Sequence, residues 1–417
     1  MKYLHKLIGW IDARFPLTST YKAHVSEYYA PKNFNFWYSF GSLALMVLVI
    51  QIVSGIFLAM DYKPDALLAF ASVEYIMRDV HWGWLLRYIH STGASMFFVV
   101  IYLHMFRALM YGSYRKPREL LWVIGMIIYL LLMSEAFMGY LLPWGQMSFW
   151  GAQVIINLFS TVPYIGHDLA ILIRGDYVVS DVTLNRFFAL HVVAIPLVLL
   201  GIVFVKLVAL HKVGSNNPDG IDIDKHKDAN GNPLDGIRFH PYYTVKDSVG
   251  AVVFLIVFGA ILFFAPDMGG YFLEDSNFVP ANPMKTPEHI GPVWHFTPYY
   301  AILRSVPPMF GSQFPGVAAM GLATMIFFFL PWLDRGKVRS IRYRGPIYKT
   351  FLALFVISFV GLGWLGTMPV SPAYIVISRI LAVVYFAFFL LMPWYTSIDK
   401  CKPEPDRVTS RQKDSLT

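Results

Sequence analysis

Two hydrophobic stretches of the sequence carry metal-binding side chains at nearly matched intervals. In residues 85–111, His90 and His104 stand fourteen positions apart. Fourteen residues turn a helix through about 1400°, which returns within about 40° of the same face after a rise of about 21 Å. One helix would therefore present both imidazoles inward, at two depths of a membrane.

The second stretch, residues 184–210, offers His191 and, fifteen positions later, Lys206. Fifteen residues overshoot a common face by about 60°. We expect a local bulge near Pro196 to absorb the extra residue. Two helices with paired ligands at two levels are the arrangement that holds two stacked haems.

A lone histidine in an apolar helix is more often a hydrogen-bonded structural residue than a ligand, but glycines favour ligation here. Gly41 and Gly55 are fourteen positions apart in one hydrophobic run, and Gly125 and Gly139 are fourteen apart in another. A flat macrocycle that lies edge-on against a helix needs positions without a side chain at the depth of its ligands. Glycine is common in membrane helices, so the shared interval carries the argument.

The composition, 56% hydrophobic and 14% charged over 417 residues, is that of a polytopic membrane protein. Each long apolar run must be helical, because lipid offers the backbone no hydrogen-bond partners. The prediction is an all-α membrane protein with eight spanning helices. They are placed at residues 38–60, 84–111, 121–142, 186–211, 248–266, 315–333, 348–366 and 375–396.

Basic residues cluster in two joins on one side, 112–120 and 334–347, whereas the loops opposite carry more acid than base. The positive-inside rule places both termini in the cytoplasm. The net charge of +8 therefore indicates membrane orientation, and we expect no nucleic-acid partner. The single Cys401 excludes a thiolate-ligated iron–sulfur cluster and CxxCH haem attachment within this chain.

Four runs give the sequence a resemblance to a known family. They are RYIHSTGASMFF (87–98), AFMGYLLPWGQMSFWGA (136–152), GSNNPDG (214–220) and HPYYTVKDSVG (240–250). The chain resembles cytochrome b of the bacterial cytochrome bc1 complex, from about residue 10 to residue 398. The resemblance implies a dihaem bundle of the first four helices (1–212), a cytoplasmic loop (213–247), four C-terminal helices with an outer quinol-site loop (248–398) and a polar tail (399–417).

The resemblance also implies function and partners. Quinol is oxidised near the outer, periplasmic face, and quinone is reduced near the inner face of the bacterial inner membrane. Electrons divide between a Rieske iron–sulfur protein and two b haems, with proton translocation in a Q cycle. Cytochrome c1, a second copy of the complex, membrane lipids and ubiquinone are the other expected partners. A dihaem anchor subunit of another dehydrogenase and a haem-free transporter are the alternatives.

The resemblance implies that His90 and His191 bind the outer, low-potential haem and that His104 binds the inner, high-potential haem. The family's second inner ligand is a histidine, where this sequence has Lys206. A lysine amine binds iron only after it loses its proton. The alternative is that Lys206 snorkels to the interface and that the inner haem is five-coordinate or missing.

Three arginines near the ligands are expected to pair with haem propionates, since buried carboxylates need partners. Their alternative role is interface anchoring. They are Arg87, Arg107 and Arg186.

For outer quinol oxidation, a Pro-Glu-Trp-Tyr-like motif of the family corresponds here to Pro292, Val293, Trp294 and His295. Valine cannot accept a proton. We hypothesise that Glu135, an ionisable residue inside the third helix, takes the second quinol proton. Glu288 is the weaker candidate, with a solvated loop position as its alternative. His295 is either a proton relay or a packing residue.

The remaining predicted contacts divide between the two faces of the membrane. The walls of the outer site, or plain packing, are expected from Phe137, Tyr140 and Gly151, with Trp150 and Tyr299. The inner quinone site is expected from His211, Ser215, Asn216, Lys246 and Asp247, with Gly41 and Ser42 adjoining. There a histidine with a buried aspartate can exchange protons at neutral pH; the alternative for Asp247 is an N-cap of the fifth helix.

Overall fold

The computed structural model describes residues 2–22, 26–309 and 311–409, and these are mostly helical. Eight helices among these residues are long and apolar enough to cross a membrane, which confirms the predicted all-α architecture. Their bounds are Phe40–Asp61 (after a 3-10 turn, Phe36–Ser39), Gly83–Tyr111, Glu119–Leu141, Asp181–Ala189 continued by Ile195–Val213, Tyr242–Phe264, Phe314–Met325 continued through Ile326–Phe329 to Leu330–Leu333, Pro346–Thr367, and Pro372–Leu390.

The fourth and fifth spanning helices begin earlier than predicted, and local capping explains why. Ser180 and Thr183 form a capping box that starts the fourth helix at Asp181 rather than at residue 186. The fifth helix starts at Tyr242, directly after Pro241, rather than at residue 248. Its first turns are polar, so hydrophobicity alone placed the start too late.

The eighth helix is shorter than the predicted 375–396. It ends at Leu390, and after Leu391 a separate short helix covers Met392–Ile398. Pro393 occupies the first turn of that helix, where its missing N–H costs no hydrogen bond.

A single π-helical turn, Leu190–Ala194, interrupts the fourth helix immediately before Pro196. A π turn accommodates an additional residue in a helical turn. The predicted bulge is therefore confirmed, and it lies between His191 and Lys206.

Shorter elements occupy the joins. The joins after the third and fifth spanning helices contain the short helices Gln146–Phe159 and Thr297–Ser305. Strands Tyr29–Pro31 and Gly236–Arg238 pair antiparallel, a small addition to the all-α prediction. The other helical segments are Lys2–Asp12, Leu17–Tyr21, Ala69–Arg78, Gly166–Arg174, Ile223–Lys225, Asp275–Phe278 and Trp294–Phe296.

The helices pack in two groups. The first spanning helix packs along the second and the third along the fourth, while the fifth lies against the first and second. The seventh and eighth helices pack around Thr297–Ser305. An apolar cluster separate from the main core packs beneath the loops where the third helix ends. It includes Leu141, Ile156 and Leu184.

A buried ion pair spans the loop between the sixth and seventh spanning helices at the opposite end, and Tyr114 of another loop joins it. The Arg344 guanidinium donates to both oxygens of Asp334, and Tyr114 Oη donates to Asp334 Oδ2 at 2.7 Å. Only 1% of Arg344 and 6% of Asp334 are exposed. Removing one partner of such a pair leaves the other as an uncompensated buried charge.

We therefore expect Asp334→Ala to lower the free energy of unfolding by about 3–5 kcal/mol, measured by denaturation in mixed detergent micelles. Glu74→Ala is the control, because the Glu74–Arg78 pair is a surface contact between residues one helical turn apart and is worth under about 1 kcal/mol. Equal losses in the two variants would contradict the proposed importance of the buried pair.

Candidate functional site

The imidazoles of His90 and His191 face each other across the bundle. Their ring centroids are 6.1 Å apart and their planes are perpendicular, at 88°. Two imidazoles that bind one metal ion at about 2.0 Å have centroids about 6 Å apart. Nδ1 of His90 lies 2.9 Å from Ser54 Oγ, and Nδ1 of His191 lies 2.9 Å from the main-chain oxygen of Glu135. Both Nε2 atoms are therefore the ones suited to bind iron.

Each of these imidazoles lies against a glycine of a neighbouring helix. A Cβ atom on Gly55 would lie 3.1 Å from His90 Cε1, and one on Gly139 would lie 2.9 Å from both ring nitrogens of His191. Real Cβ atoms essentially never approach as closely as one on Gly139 would, so only glycine leaves the His191 ring in place, whereas a Cβ on Gly55 would require a small shift of the His90 ring. The two histidines and the two glycines beside them fit a haem held between the two imidazoles.

The same construction repeats at the second depth. A Cβ on Gly41 would lie 3.4 Å from His104 Cε1, and one on Gly125 would lie 3.0 Å from Lys206 Nζ. The lysine amine therefore points at the third helix, inside the bundle, and not toward the interface as the snorkelling alternative requires.

Arg107 presents an incompletely used guanidinium beside this second level. Arg107 Nη2 lies 3.3 Å from His104 Nδ1, and Arg107 Cζ lies 4.8 Å from the centroid of the Tyr38 ring. Its buried Nε has no hydrogen-bond partner among the described residues. A buried donor left over beside a candidate iron ligand suits an anionic group such as a haem carboxylate.

The other two arginines differ. Arg87 lies within electrostatic range of His90. Nη1 of Arg186 donates to the Leu172 main-chain oxygen at 2.8 Å, so part of that guanidinium holds a loop helix. Their propionate contacts stay predictions.

A cleft of about 300 Å³ opens near the end of the third helix. It is lined by residues from four separate segments, among them Met147, Tyr271, Glu274, Pro292, Trp294 and Met368. Trp294 Nε1 donates to Ser95 Oγ of the second helix at 3.1 Å. Tyr140 Oη donates to Glu274 Oε2, and Gly151 lies against the Tyr140 ring. Pro292 and Trp294 thus line the cleft, and Tyr140, with Gly151 against its ring, adjoins it through Glu274. Their roles in an outer site stay predictions.

Three other predicted residues do not line this cleft. The Glu135 carboxylate lies 3.0 Å from His191 Nδ1, Glu288 lies in an exposed loop, and Phe137 packs edge-on against Phe187 at 5.5 Å. Glu135 is therefore partnered with a candidate ligand.

His295 is buried between the loop and the second helix. Its ring stacks on Phe98 with centroids 3.8 Å apart, and neither ring nitrogen has a hydrogen-bond partner among the described residues. Burial lowers the pKa of His295 to about 3. A neutral imidazole without partners favours the packing role over the relay role.

At the opposite end, Tyr28 joins two residues predicted for the inner quinone site. Its ring lies 4.9 Å from that of His211, and its hydroxyl lies 3.1 Å from Ser215 Oγ. Nδ1 of His211 lies 2.8 Å from the main-chain oxygen of Leu207.

The other predicted inner residues have separate neighbours. Asn216 Nδ2 donates to the Tyr111 main-chain oxygen at 2.8 Å, and Lys246 Nζ lies 4.5 Å above the Tyr242 ring. Asp247 faces a pair of serines, Ser39 and Ser42. The alternative that Asp247 is an N-cap is wrong, because the fifth helix begins at Tyr242.

Sequence reasoning missed Glu274, Tyr28 and Ser54. Ser54 adjoins Gly55, and this adjacency was an available signal. Glu274 and Tyr28 lie in irregular segments without periodicity, where only long-range contacts determine their neighbours.

Comparisons with known proteins show the family of the chain. Two family models match, "Cytochrome b/b6/petB" over residues 25–214 and "Cytochrome b(C-terminal)/b6/petD" over residues 280–386. The chain is 66% identical to cytochrome b of Allochromatium vinosum, covering 97% of this chain and 98% of the relative. It is 50% identical to cytochrome b of Rhodospirillum rubrum, covering 98% and 97%. A solved structure titled "Hyperthermophilic respiratory Complex III" matches with a TM-score of 0.86 at 39% identity, covering 94% of this chain and 99% of that one.

The glycine contacts give a direct prediction. In Gly139→Ala the new methyl group displaces the His191 ring, so we expect the outer haem to be lost and the haem content per chain to fall by half, measured as pyridine haemochrome. Gly201→Ala in the fourth helix is the control, since a Cβ there meets nothing within 4 Å. An unchanged haem content in Gly139→Ala would show that the close approach is not required.

Proposed function

The chain belongs to the cytochrome b family, and we propose that it is the dihaem subunit of a complex III, which oxidises quinol at one membrane face and reduces quinone at the other. It is an integral membrane protein, and its family binds haem b. The observation that carries the proposal is the facing pair His90–His191, whose 6.1 Å centroid separation suits a shared iron.

The ligand assignment follows from the two levels of the bundle. His90 and His191 would hold the outer haem, and His104 and Lys206 the inner one, with Arg107 as the best-supported propionate partner. When bound, the two haems supply one-electron carriers at two depths of the membrane. A haem-free transporter would leave the paired ligands and their glycines without a role.

We place quinol oxidation in the cleft at the end of the third helix, where Pro292 and Trp294 form part of the wall. The cleft opens at the end of the bundle nearer His90 and His191. The sequence-based hypothesis that Glu135 accepts the second quinol proton stays a prediction. Its carboxylate contact with His191 Nδ1 supports a positioning role, because a carboxylate that accepts from a metal-binding histidine fixes the ring and raises its basicity.

Quinone reduction is proposed at the opposite end, around Tyr28, His211 and Ser215, and the part of Asp247 in it stays a prediction. Substrate reduction there takes up protons, and these polar side chains can bind the quinone carbonyls. The Asn216 side chain donates to the last residue of the second helix. Asn216 would therefore stabilise the site without contacting the quinone.

Assembly and orientation follow the family and the charge distribution. We propose a dimeric complex with a Rieske protein and cytochrome c1, ubiquinone as the quinone, and an inner-membrane location with cytoplasmic termini. The basic joins between helices two and three and between helices six and seven support that orientation.

The function is tested by haem content and quinol reactivity of the purified complex. We expect two protohaems per chain by pyridine haemochrome, and we expect added ubiquinol to reduce them. Failure to find protohaem, or haem bands that quinol never reduces, would refute the proposal.

Lys206 gives a second test. We expect the inner haem of the native chain to differ in spectrum and midpoint potential from a bis-histidine haem, and Lys206→His to convert it to one, measured by redox titration of the haem bands. Lys212→His, an exposed position in the same helix, is the control and should change neither quantity. A Lys206→Met variant with an unaltered inner-haem spectrum would show that the amine is not a ligand.

A further inference from the structure

We propose that Glu274, hydrogen-bonded to Tyr140, accepts a quinol proton in the outer cleft. The inference rests on the proposed function, since it assigns a proton acceptor to the same quinol site. It fills the place left by Val293, whose side chain cannot take a proton where the family resemblance implies a glutamate.

The position of Glu274 carries the proposal. Its side chain lines the cleft together with Pro292 and Trp294, and its Oε2 accepts from the Tyr140 hydroxyl. A substrate in this cleft would meet a carboxylate that already accepts a hydrogen bond from a phenol. Neither Glu135 nor Glu288 lines the cleft.

Hydrogen bonds across two loops hold Glu274 in place. The segment that follows it is tied to the turn that begins the helix Gln146–Phe159: Ser148 N donates to Asn277 Oδ1 at 2.7 Å, and Ala281 N donates to the Trp144 main-chain oxygen at 3.0 Å. A general base must be positioned before its pKa matters, and these contacts supply that positioning.

The surroundings of the carboxylate are mostly neutral. The titratable side chains around it are Tyr140 on the third helix, Tyr271 in its own loop, and His289 in the loop before the Trp294 turn. Among the described residues that line the cleft, none is lysine or arginine. Burial raises the pKa of Glu274 to about 7, opposed by the hydrogen bond from Tyr140.

The proton transfer balances as follows. One O–H bond of the quinol breaks, its proton passes to the Glu274 carboxylate, which Tyr140 Oη holds by its hydrogen bond, and a carboxylic acid forms. Complete oxidation releases two protons and two electrons: one of each would pass to the Rieske partner that the proposed function requires, and the electron that accompanies the Glu274 proton would pass to the haem that His90 and His191 would hold. Tyr271 and His289 are exposed at the rim of the cleft, so the acid can return its proton to water.

Only the ionised Glu274 carboxylate can accept a proton, and this determines how the rate of quinol oxidation changes with pH. With a raised pKa of about 7, the carboxylate is present above that pH and is lost as the pH falls through it. Quinol oxidation should therefore rise with pH through about 7 and level off above it.

The test uses the intact complex and Glu274→Gln. We expect kcat/KM for quinol oxidation to fall about 100-fold above pH 8, the lower range for loss of a general base, and the rise through pH 7 to disappear. Tyr140→Phe should lower the rate in the same direction, and Glu274→Asp should restore part of it. Asp275→Asn is the matched control, because this neighbouring acid is exposed and does not line the cleft.

Two further measurements separate the outcomes. A carboxylic acid band in the infrared difference spectrum should titrate near pH 7 in the native complex and be absent in Glu274→Gln, with haem content unchanged in both. A native rate and pH profile in Glu274→Gln would overturn the inference, as would loss of the pH dependence in Glu135→Gln alone. If the native complex fails to oxidise quinol, the proposed function fails, and the infrared titration still decides whether Glu274 is the titrating group.

Discussion

The structure depends on close approach between the helices that carry the candidate ligands and helices that carry glycine opposite each of them. Gly55 meets His90 and Gly139 meets His191 at one depth, and the contacts are repeated at the other depth. In a membrane, helices associate through packing and polar contacts rather than through the hydrophobic effect, so side-chain-free positions decide where they can approach. The fourteen-residue interval is the consequence in sequence, since it brings a helix back to one face at both levels.

The fourth helix satisfies the same constraint by a different route. Its ligand interval is one residue longer, and the π turn at Leu190–Ala194 takes up the excess. Lys206 Nζ then lies against Gly125 much as an imidazole carbon lies against each of the other glycines. The lysine therefore has the same relation to a glycine of the neighbouring helix as the three candidate histidine ligands have.

The sequence predicted those features whose geometry repeats along a helix. The eight spans, the depth of His90 and His104, the paired glycines and the bulge near Pro196 all follow from helical periodicity, hydrophobicity or chain constraints. The start of the fifth helix could not be predicted from hydrophobicity, because the first turns of that helix are polar. Nor could the sequence separate Glu274 from Glu288. Both are acids in irregular loops, and only the hydrogen bonds between the two loops turn Glu274 into the cleft.

The two kinds of site are built by different parts of the chain. The candidate iron ligands come only from the second and fourth spanning helices, whereas the outer cleft takes its walls from loops that follow the third, fifth and seventh helices. Few side chains connect the two. Trp294 reaches Ser95 on the ligand-bearing second helix, and Tyr140 adjoins Gly139, which lies against His191. The candidate ligands thus lie on rigid helices and the acids of the cleft on loops. We propose that Glu274 supplies the carboxylate that Val293, in the same connection between the fifth and sixth spanning helices, cannot supply.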